Sequence, residues 1–378
     1  MKGGREARWR VSEIRRIDYD LVSVADVFDP AEGALLSMGR AYGSRRFVVI
    51  DECVHHHHGA RLRACFVERG IDAHIVVFPG GEVSKTMDAW LDVLRELDTF
   101  PIHRRDEPIV AIGGGVLTDV VGFAASSYRR GIPHIKVPTT LMGYIDASVG
   151  IKTGINFNGH KNRIGSFEPP RRVLLDRSLL RTLPRRHLCN GVCEIVKLAV
   201  IKDAELFDLL EQFGAAGLET AFQGACGGEI LDRAIFDMLE ELAPNLYEDD
   251  LARKADFGHT FSYGLETRHA GRLLHGEAVL LDILASTVIA QQRGLLVRAD
   301  ANRILALVER LAMAPAIELL DAELMWKSLL DRTLHRNGLQ RVPLPVAIGE
   351  CLFVDDIAFA EIEVSIRILQ DWKAAVHA

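Results

Sequence analysis

Residues 256–282 read DFGHTFSYGLETRHAGRLLHGEAVLLD, and two histidines in this stretch, His259 and His275, stand beside glycines at the start of apolar runs. An imidazole in such a place caps a helix, rests satisfied in a core, or ligates a metal. A second stretch, CNGVCEIVKLAVIKD (189–203), sets Glu194 and Lys197 three residues apart, hence on one face of an apolar helix. A carboxylate on such a face is costly without a partner, and a metal ion is a good one. Glu194, His259 and His275 together form a carboxylate and two imidazoles, the donor set of catalytic zinc centres that keep open positions for substrate oxygens. Their spacing fits no compact motif such as HExxH, so the assignment comes from donor chemistry alone.

Phosphate chemistry is suggested elsewhere. AIGGGVLTDVVGF (111–123) places three glycines between an expected strand and an apolar helix. Glycine lets backbone approach a phosphate, and a helix start offers free N–H groups, although the pattern is not GxGxxG. PGGEVSKT (79–86) adds a second glycine turn, with Glu82 and Lys85 three apart, and Asp51 ends a further strand where it could accept ribose hydroxyls. Ends of neighbouring parallel strands converge on one crevice, so the three turns together point to a dinucleotide. An isolated Glu82–Lys85 pair would more commonly be an exposed ion pair. The segment 135–167 is dense in glycines and polar groups that a plain core would not need. Thr139, Thr140, Asp146, Lys152, Lys161 and Asn162, with Arg130 from SSYRRG, supply the hydroxyls, carboxylate, amide and cations of a phosphate site.

The elements that must carry these groups are legible as patterns. RRFVVIDE (45–52), DAHIVVFPGGE (72–82) and EPIVAIGGG (107–115) read as buried strands, with helical periodicity in ARLRACFVERG and SKTMDAWLDVLRELDTF between them. Alternation of this kind predicts a parallel α/β sheet. After about residue 178 the period becomes helical in GVCEIVKLAVIKDAELFDLLEQF, GEILDRAIFDMLEELA, AVLLDILASTVIAQQRG and NRILALVERLAMA, so the second half is expected to be mostly helical.

At 378 residues the chain is long enough for two domains with a cleft between them, and 48% hydrophobic with 26% charged residues describes a packed globular protein. A net charge of −7 argues against a nucleic-acid partner. The six cysteines form no disulfide framework, and Asp119 and Asp282 interrupt the two longest apolar runs below the roughly 18 residues a membrane span needs. With no cleavable apolar segment at the start, the expectation is a cytoplasmic protein without membrane partners. Cys189 and Cys193 are expected to be buried thiols, and the run His55–His58 a polar helix start or loop.

GGGVLTDVVGFAASSYRRG, PTTLMGYIDASVGIKTGINFNGHKN, CEIVKLAVIKD, FGHTF and LHGEAV, in this order, resemble the sugar phosphate cyclases typified by 3-dehydroquinate synthase, over about residues 51–349. The resemblance implies an N-terminal Rossmann-like α/β NAD-binding domain (1–178), a mostly α-helical C-terminal metal- and substrate-binding domain (179–378), and a homodimer. It implies Zn²⁺ or Co²⁺ on Glu194, His259 and His275, and NAD⁺ on Asp51, Glu82, Lys85, Gly114, Gly115, Asp119, Thr139, Thr140, Lys161 and Thr182. A phosphorylated sugar would be held by Arg130, Lys152, Lys161, Asn162 and Lys197. The implied reaction is a lyase cycle of transient NAD oxidation, phosphate elimination, re-reduction and intramolecular aldol closure.

Departures from dehydroquinate synthase bear on the substrate. Met238 and Ala252 stand where that enzyme has the Lys and Arg that grip a substrate carboxylate, with Arg253 one residue away. A buried carboxylate without such cations would cost several kcal/mol by order of magnitude. Asp256, Tyr263, Asp282 and His335 also depart, and resemble the cyclases of sedoheptulose 7-phosphate, most of all 2-epi-5-epi-valiolone synthases of C7-cyclitol biosynthesis. Relatives making 2-epi-valiolone or demethyl-4-deoxygadusol share most blocks. Asp146, Lys152, Lys197, Asp282 and His335 are the expected catalytic residues, with Asp256 on a substrate hydroxyl. A metal- and NAD-dependent alcohol dehydrogenase is the rival from another reaction class.

Overall fold

The computed structural model describes residues 9–14, 16–36 and 45–376. Seven of its elements form and cross the sheet that the alternating pattern predicts: β2 (Arg45–Asp51), α1 (Glu52–Glu68), β3 (Asp72–Phe78), α2 (Met87–Thr99), β4 (Ile109–Gly113), α3 (Gly115–Ser127) and β5 (His134–Pro138). Two further strands, β1 (Asp20–Val24) and β8 (Arg172–Asp176), complete six parallel strands in the order β1-β8-β5-β4-β2-β3. β2 and β4 are apolar and buried because helices cover both faces of a parallel sheet. β3, expected to be buried, is an edge strand and only half-covered. α1 starts immediately after Asp51, which caps it by accepting from the Cys53 and Val54 N–H groups, so the His55–His58 run lies within the helix.

The chain leaves β2 toward β3 on one side and returns to place β4 on the other. That reversal opens a crevice at the carboxyl ends of β2 and β4, where Asp51 and Gly114 stand. An antiparallel hairpin, β6 (Lys152–Phe157) and β7 (His160–Phe167), is a small sheet of its own and carries the polar segment rich in lysine and asparagine. A single turn of π-helix at Gly143–Ala147 precedes it and carries Asp146.

The second half is mostly helical, as its period predicts: α4 (Arg185–Ile201), α5 (Ala204–Glu219), α6 (Ala225–Leu242), α7 (Ser262–Arg268), α8 (His275–Gln292), α9 (Arg298–Arg310), α10 (Ala322–His335) and α11 (Phe359–Val376). A hairpin of β9 (Val342–Ala347) and β10 (Glu350–Val354) interrupts it. α4 and α8 are buried along most of their length and pack in one large apolar core. The stretch 191–213, which reads as one amphipathic run, is two helices. Asp203 breaks it: its carboxylate accepts from the Glu205 and Leu206 N–H groups, capping α5, and pairs with Arg233. Among the described residues, no helix is long and apolar enough to cross a membrane.

Asp203→Ala removes the cap and leaves Arg233 without that carboxylate, so it should lower stability by about 1–2 kcal/mol in urea unfolding. An unchanged midpoint would show that α4 and α5 separate for another reason.

Candidate active site and metal centre

The carboxyl ends of the strands face a cleft of about 2470 Å³ whose other wall comes from α6, α7, α10 and the loops around them. Asp51, Glu82, Lys85, Gly114, Gly115, Asp119, Thr139, Thr140 and Thr182 line it, as do Asp146, Lys152, Lys161, Asn162, Lys197, Asp256, His259, His275 and His335. Three expected residues are not among the lining groups, and one of them, Glu194, is fully buried behind the surface that His259 and His275 line. Arg130 lies exposed on the turn after α3. Asp282 is fully buried in α8.

At the cleft wall, His259 and His275 meet the buried Glu194: one ligand atom from each lies within 4.8 Å of the others, the one such group of three among the described residues. The Nε2 atoms of His259 and His275 stand 3.7 and 3.5 Å from Glu194 Oε1, and the Lys197 ammonium lies against Oε2. Each ligand is placed by a different element. α4 supplies Glu194, α8 begins with His275, and His259 sits in the loop before α7. His259 Nδ1 faces the Phe257 carbonyl at 3.0 Å, and His275 Nδ1 faces Glu266 Oε2 at 3.1 Å, which turns both Nε2 atoms inward.

The electrostatics agree with a cation site. Glu194 is fully buried and neither of its oxygens accepts an aligned hydrogen bond, a condition that is costly unless a positive charge sits against it. Burial opposes its ionisation, yet Lys197, His275 and His259 hold the carboxyl well below the usual range. Burial pushes His259 down to about 3. It acts against the His275 charge too, but there Glu266 and Glu194 outweigh it and lift the imidazole to about 10. An N,N,O donor set with a buried, unsatisfied carboxylate suits Zn²⁺ or Co²⁺.

The nucleotide side is built from the glycine turns. Gly114 precedes α3 without a side-chain cap, so the helix start keeps its N–H groups open, as phosphate binding requires. A Cβ at Gly115 would come 2.9 Å from Ala147 Cβ, so glycine there also lets α3 pack against the π turn. Glu82 and Lys85 do not pair with each other. The Lys85 ammonium bonds Asp119 Oδ2 at 2.6 Å and Asn162 Oδ1 at 2.5 Å, while Glu82 Oε1 accepts from Asn156 at 2.8 Å. Lys85 is therefore a strut between α3 and the β6–β7 hairpin.

A network of ion pairs shapes the far wall, with Arg336 buried behind it. Arg253 is gripped between Glu248 and Asp256, and Arg336 Nη2 bonds Asp256 Oδ2 at 3.0 Å. Glu248 Oε1 also takes the Lys152 ammonium at 2.6 Å. Met238 and Ala252 line the same wall. Glu266 was missed, and no helical spacing marks it, because His259 lies in the loop before α7 and its partner His275 starts a different helix. Arg336 had no local signal because its partner Asp256 lies 80 residues away, and Glu248 had none because it and Arg253, five residues on, stand in irregular chain with no repeating spacing.

Asp282 has a different task from the catalytic one expected. Its Oδ2 accepts from the Phe261 and Ser262 N–H groups, at 2.5 and 3.0 Å, and its Oδ1 from Ser286 at 3.1 Å. The carboxylate is spent on holding the start of α7 and, with it, the loop bearing His259.

A family model described as 3-dehydroquinate synthase N-terminal matches residues 75–190, and one described as 3-dehydroquinate synthase C-terminal matches residues 191–333. The chain belongs to the 3-dehydroquinate synthase family. Among its relatives, the 2-epi-5-epi-valiolone synthase of Actinoplanes sp. is 47% identical over 94% of this chain and 91% of its own length. That of Streptomyces albus is 44% identical over 96% and 90%. The structure of ValA, the 2-epi-5-epi-valiolone synthase of Streptomyces hygroscopicus subsp. jinggangensis 5008, with NAD⁺ and Zn²⁺ bound, is 42% identical. It superposes with a TM-score of 0.91, covering 96% of this chain and 99% of that one.

Asp282→Ala should orphan two buried backbone N–H groups and destabilise the metal-free protein by at least about 2 kcal/mol in denaturant unfolding. A variant of native stability would return Asp282 to the list of catalytic candidates.

Proposed function

We propose that this protein converts sedoheptulose 7-phosphate to 2-epi-5-epi-valiolone and inorganic phosphate, a carbon–oxygen lyase reaction that opens C7-cyclitol biosynthesis. The observation that carries the reading is the convergence of Glu194, His259 and His275 on the cleft that also holds the glycine turns and the lysine-rich hairpin. The relatives at 44–47% identity supply the reaction. NAD⁺ at the glycine turns would supply a reversible hydride acceptor, and Zn²⁺ or Co²⁺ on the trio a Lewis acid for vicinal oxygens, so the cycle leaves no net oxidation.

The chain's own residues orient and hold protons. Lys152, Lys161, Asn162 and Lys197 offer ammonium and amide donors to a phosphorylated chain. Burial works against the Lys197 charge, but Glu194 and Asp146 outweigh it and keep the ammonium protonated, ready to donate to a substrate oxygen. Asp146 is buried against Glu194, which raises its pKa and suits it to share a proton within the cleft. His335, at the end of α10, lines the rim where a general acid or base could reach the sugar. Asp256 lines the cleft and already holds Arg253 and Arg336, so it faces a substrate hydroxyl as an anchored acceptor.

Specificity follows from the far wall. Met238 presents an apolar side chain and Ala252 a methyl group there, while Arg253 is neutralised by Glu248 and Asp256. A substrate carboxylate would find no free cation among these three residues, whereas a hydroxymethyl group needs none. The homodimer implied by the family, a cytoplasmic setting, the domain division near residue 178 and a phosphate contact from Arg130 are part of the same proposal. In a single chain Arg130 does not reach the cleft lining.

Purified protein with NAD⁺ and Zn²⁺ or Co²⁺ should release phosphate from sedoheptulose 7-phosphate without accumulating NADH, and NMR should identify the cyclitol. Sustained NADH formation would assign the protein to the metal-dependent alcohol dehydrogenases instead. His259→Ala should lower bound metal and reduce phosphate release at least about 100-fold; full activity with no bound metal would refute the ligand assignment. The 3-deoxy-heptulosonate phosphate used by dehydroquinate synthases should remain unconsumed, as phosphate release will report.

A further inference from the structure

Glu266, on α7, is buried and uses both of its oxygens. Oε2 faces His275 Nδ1 at 3.1 Å. Oε1 receives the ammonium of Lys161, which lies 105 residues away in the chain on the β6–β7 hairpin. The same hairpin is pinned again one turn earlier on α7, where the Lys161 backbone N–H donates to the Tyr263 hydroxyl at 3.2 Å. Lys161 also stands 3.5 Å from Glu82 Oε1, beside the second glycine turn. One carboxylate therefore joins an imidazole of the Glu194–His259–His275 trio to a lysine on the opposite wall of the cleft.

The chemistry of such a bridge is directional. A carboxylate that accepts from Nδ1–H fixes the tautomer in which Nε2 carries the free lone pair and makes that nitrogen a better ligand. The position of the carboxylate then depends on its other partner, because a buried Glu with two charged neighbours has one arrangement that satisfies both. Any event that locks His275 in place locks Glu266, and through it Lys161. Coupling of this kind is reciprocal by thermodynamic necessity.

We propose that Glu266 is a positioning residue that couples metal occupancy at Glu194, His259 and His275 to the placement of Lys161 on the hairpin. The proposal rests on the assignment of those three residues as metal ligands. It makes the hairpin a reporter of the metal: with the ion bound, Lys161 is held in the cleft, and with the site stripped it is released toward solvent.

Two measurements test it, neither of which reads turnover, so they stand or fall apart from the cyclase assignment. In the first, Zn²⁺ affinity is measured by competition with a chromophoric chelator in wild type and in Glu266→Gln. The substitution should weaken binding about 10–100-fold, the range for loss of an outer partner of a ligating histidine. In the second, surface lysines of the wild-type protein are acylated with a water-soluble ester and quantified by mass spectrometry, with Zn²⁺ and after chelation. Acylation of Lys161 should rise several-fold on chelation relative to lysines remote from the cleft, and this zinc dependence should vanish in Glu266→Gln. Unchanged Zn²⁺ affinity in the variant would overturn the proposal, as would Lys161 acylation in wild type that ignores zinc. The wild-type labelling decides the matter even if the variant fails to fold.

Discussion

The charge of Glu194 is the constraint around which the helical half is arranged. It sits at zero exposure on α4, a helix whose neighbouring residues are apolar and buried in the same core. A carboxylate there is tolerable only if positive charge meets it from several directions. Lys197 does so from the same helix and His275 from the start of α8, while His259, in the loop before α7, adds the second imidazole. α8 must therefore start where it does, and the loop before α7 must be held in one conformation. Asp282 supplies that hold from inside α8, one helix thus carrying both a ligand and the brace for another.

The α/β half answers a different requirement. A parallel sheet that reverses direction between β2 and β4 leaves a crevice at its carboxyl edge, and the chain places short turns with glycine there. Open backbone N–H groups at α3 face that crevice. Lys85 ties the crevice to the hairpin through Asp119 and Asn162, and Glu266 ties the hairpin to the metal-ligand trio. The cleft is continuous because these polar struts, rather than apolar packing alone, join its two walls.

Much of this was legible before any coordinates. Strands β2 to β4 and the helices between them follow from β-branched runs and helical spacing, and the grouping of Glu194, His259 and His275 from donor chemistry supported by family resemblance. What was misread has physical causes. The 191–213 run reads as one helix because both halves are amphipathic, and only the Asp203 cap with its distant Arg233 partner ends the first. β3 reads as buried because its residues are apolar, although edge position is a property of the sheet order. Asp282 reads as functional because it departs from the dehydroquinate synthase pattern toward that of the sedoheptulose 7-phosphate cyclases, whereas in the fold it is buried and bonds backbone N–H groups.

The amino-acid order by itself determined which groups are available: an acid on an apolar helix, two glycine-flanked imidazoles, glycine turns after strands, and the absence of the two carboxylate-gripping cations at Met238 and Ala252. Those are local facts, since residue type and short-range periodicity carry them. Tertiary structure alone decided which groups meet. It turned Glu82 away from Lys85, joined Asp256 to Arg336, withdrew Asp282 into the core and joined His275 to Lys161 through Glu266. Contacts between residues tens of positions apart depend on how helices and sheet pack, and no spacing along the chain encodes them.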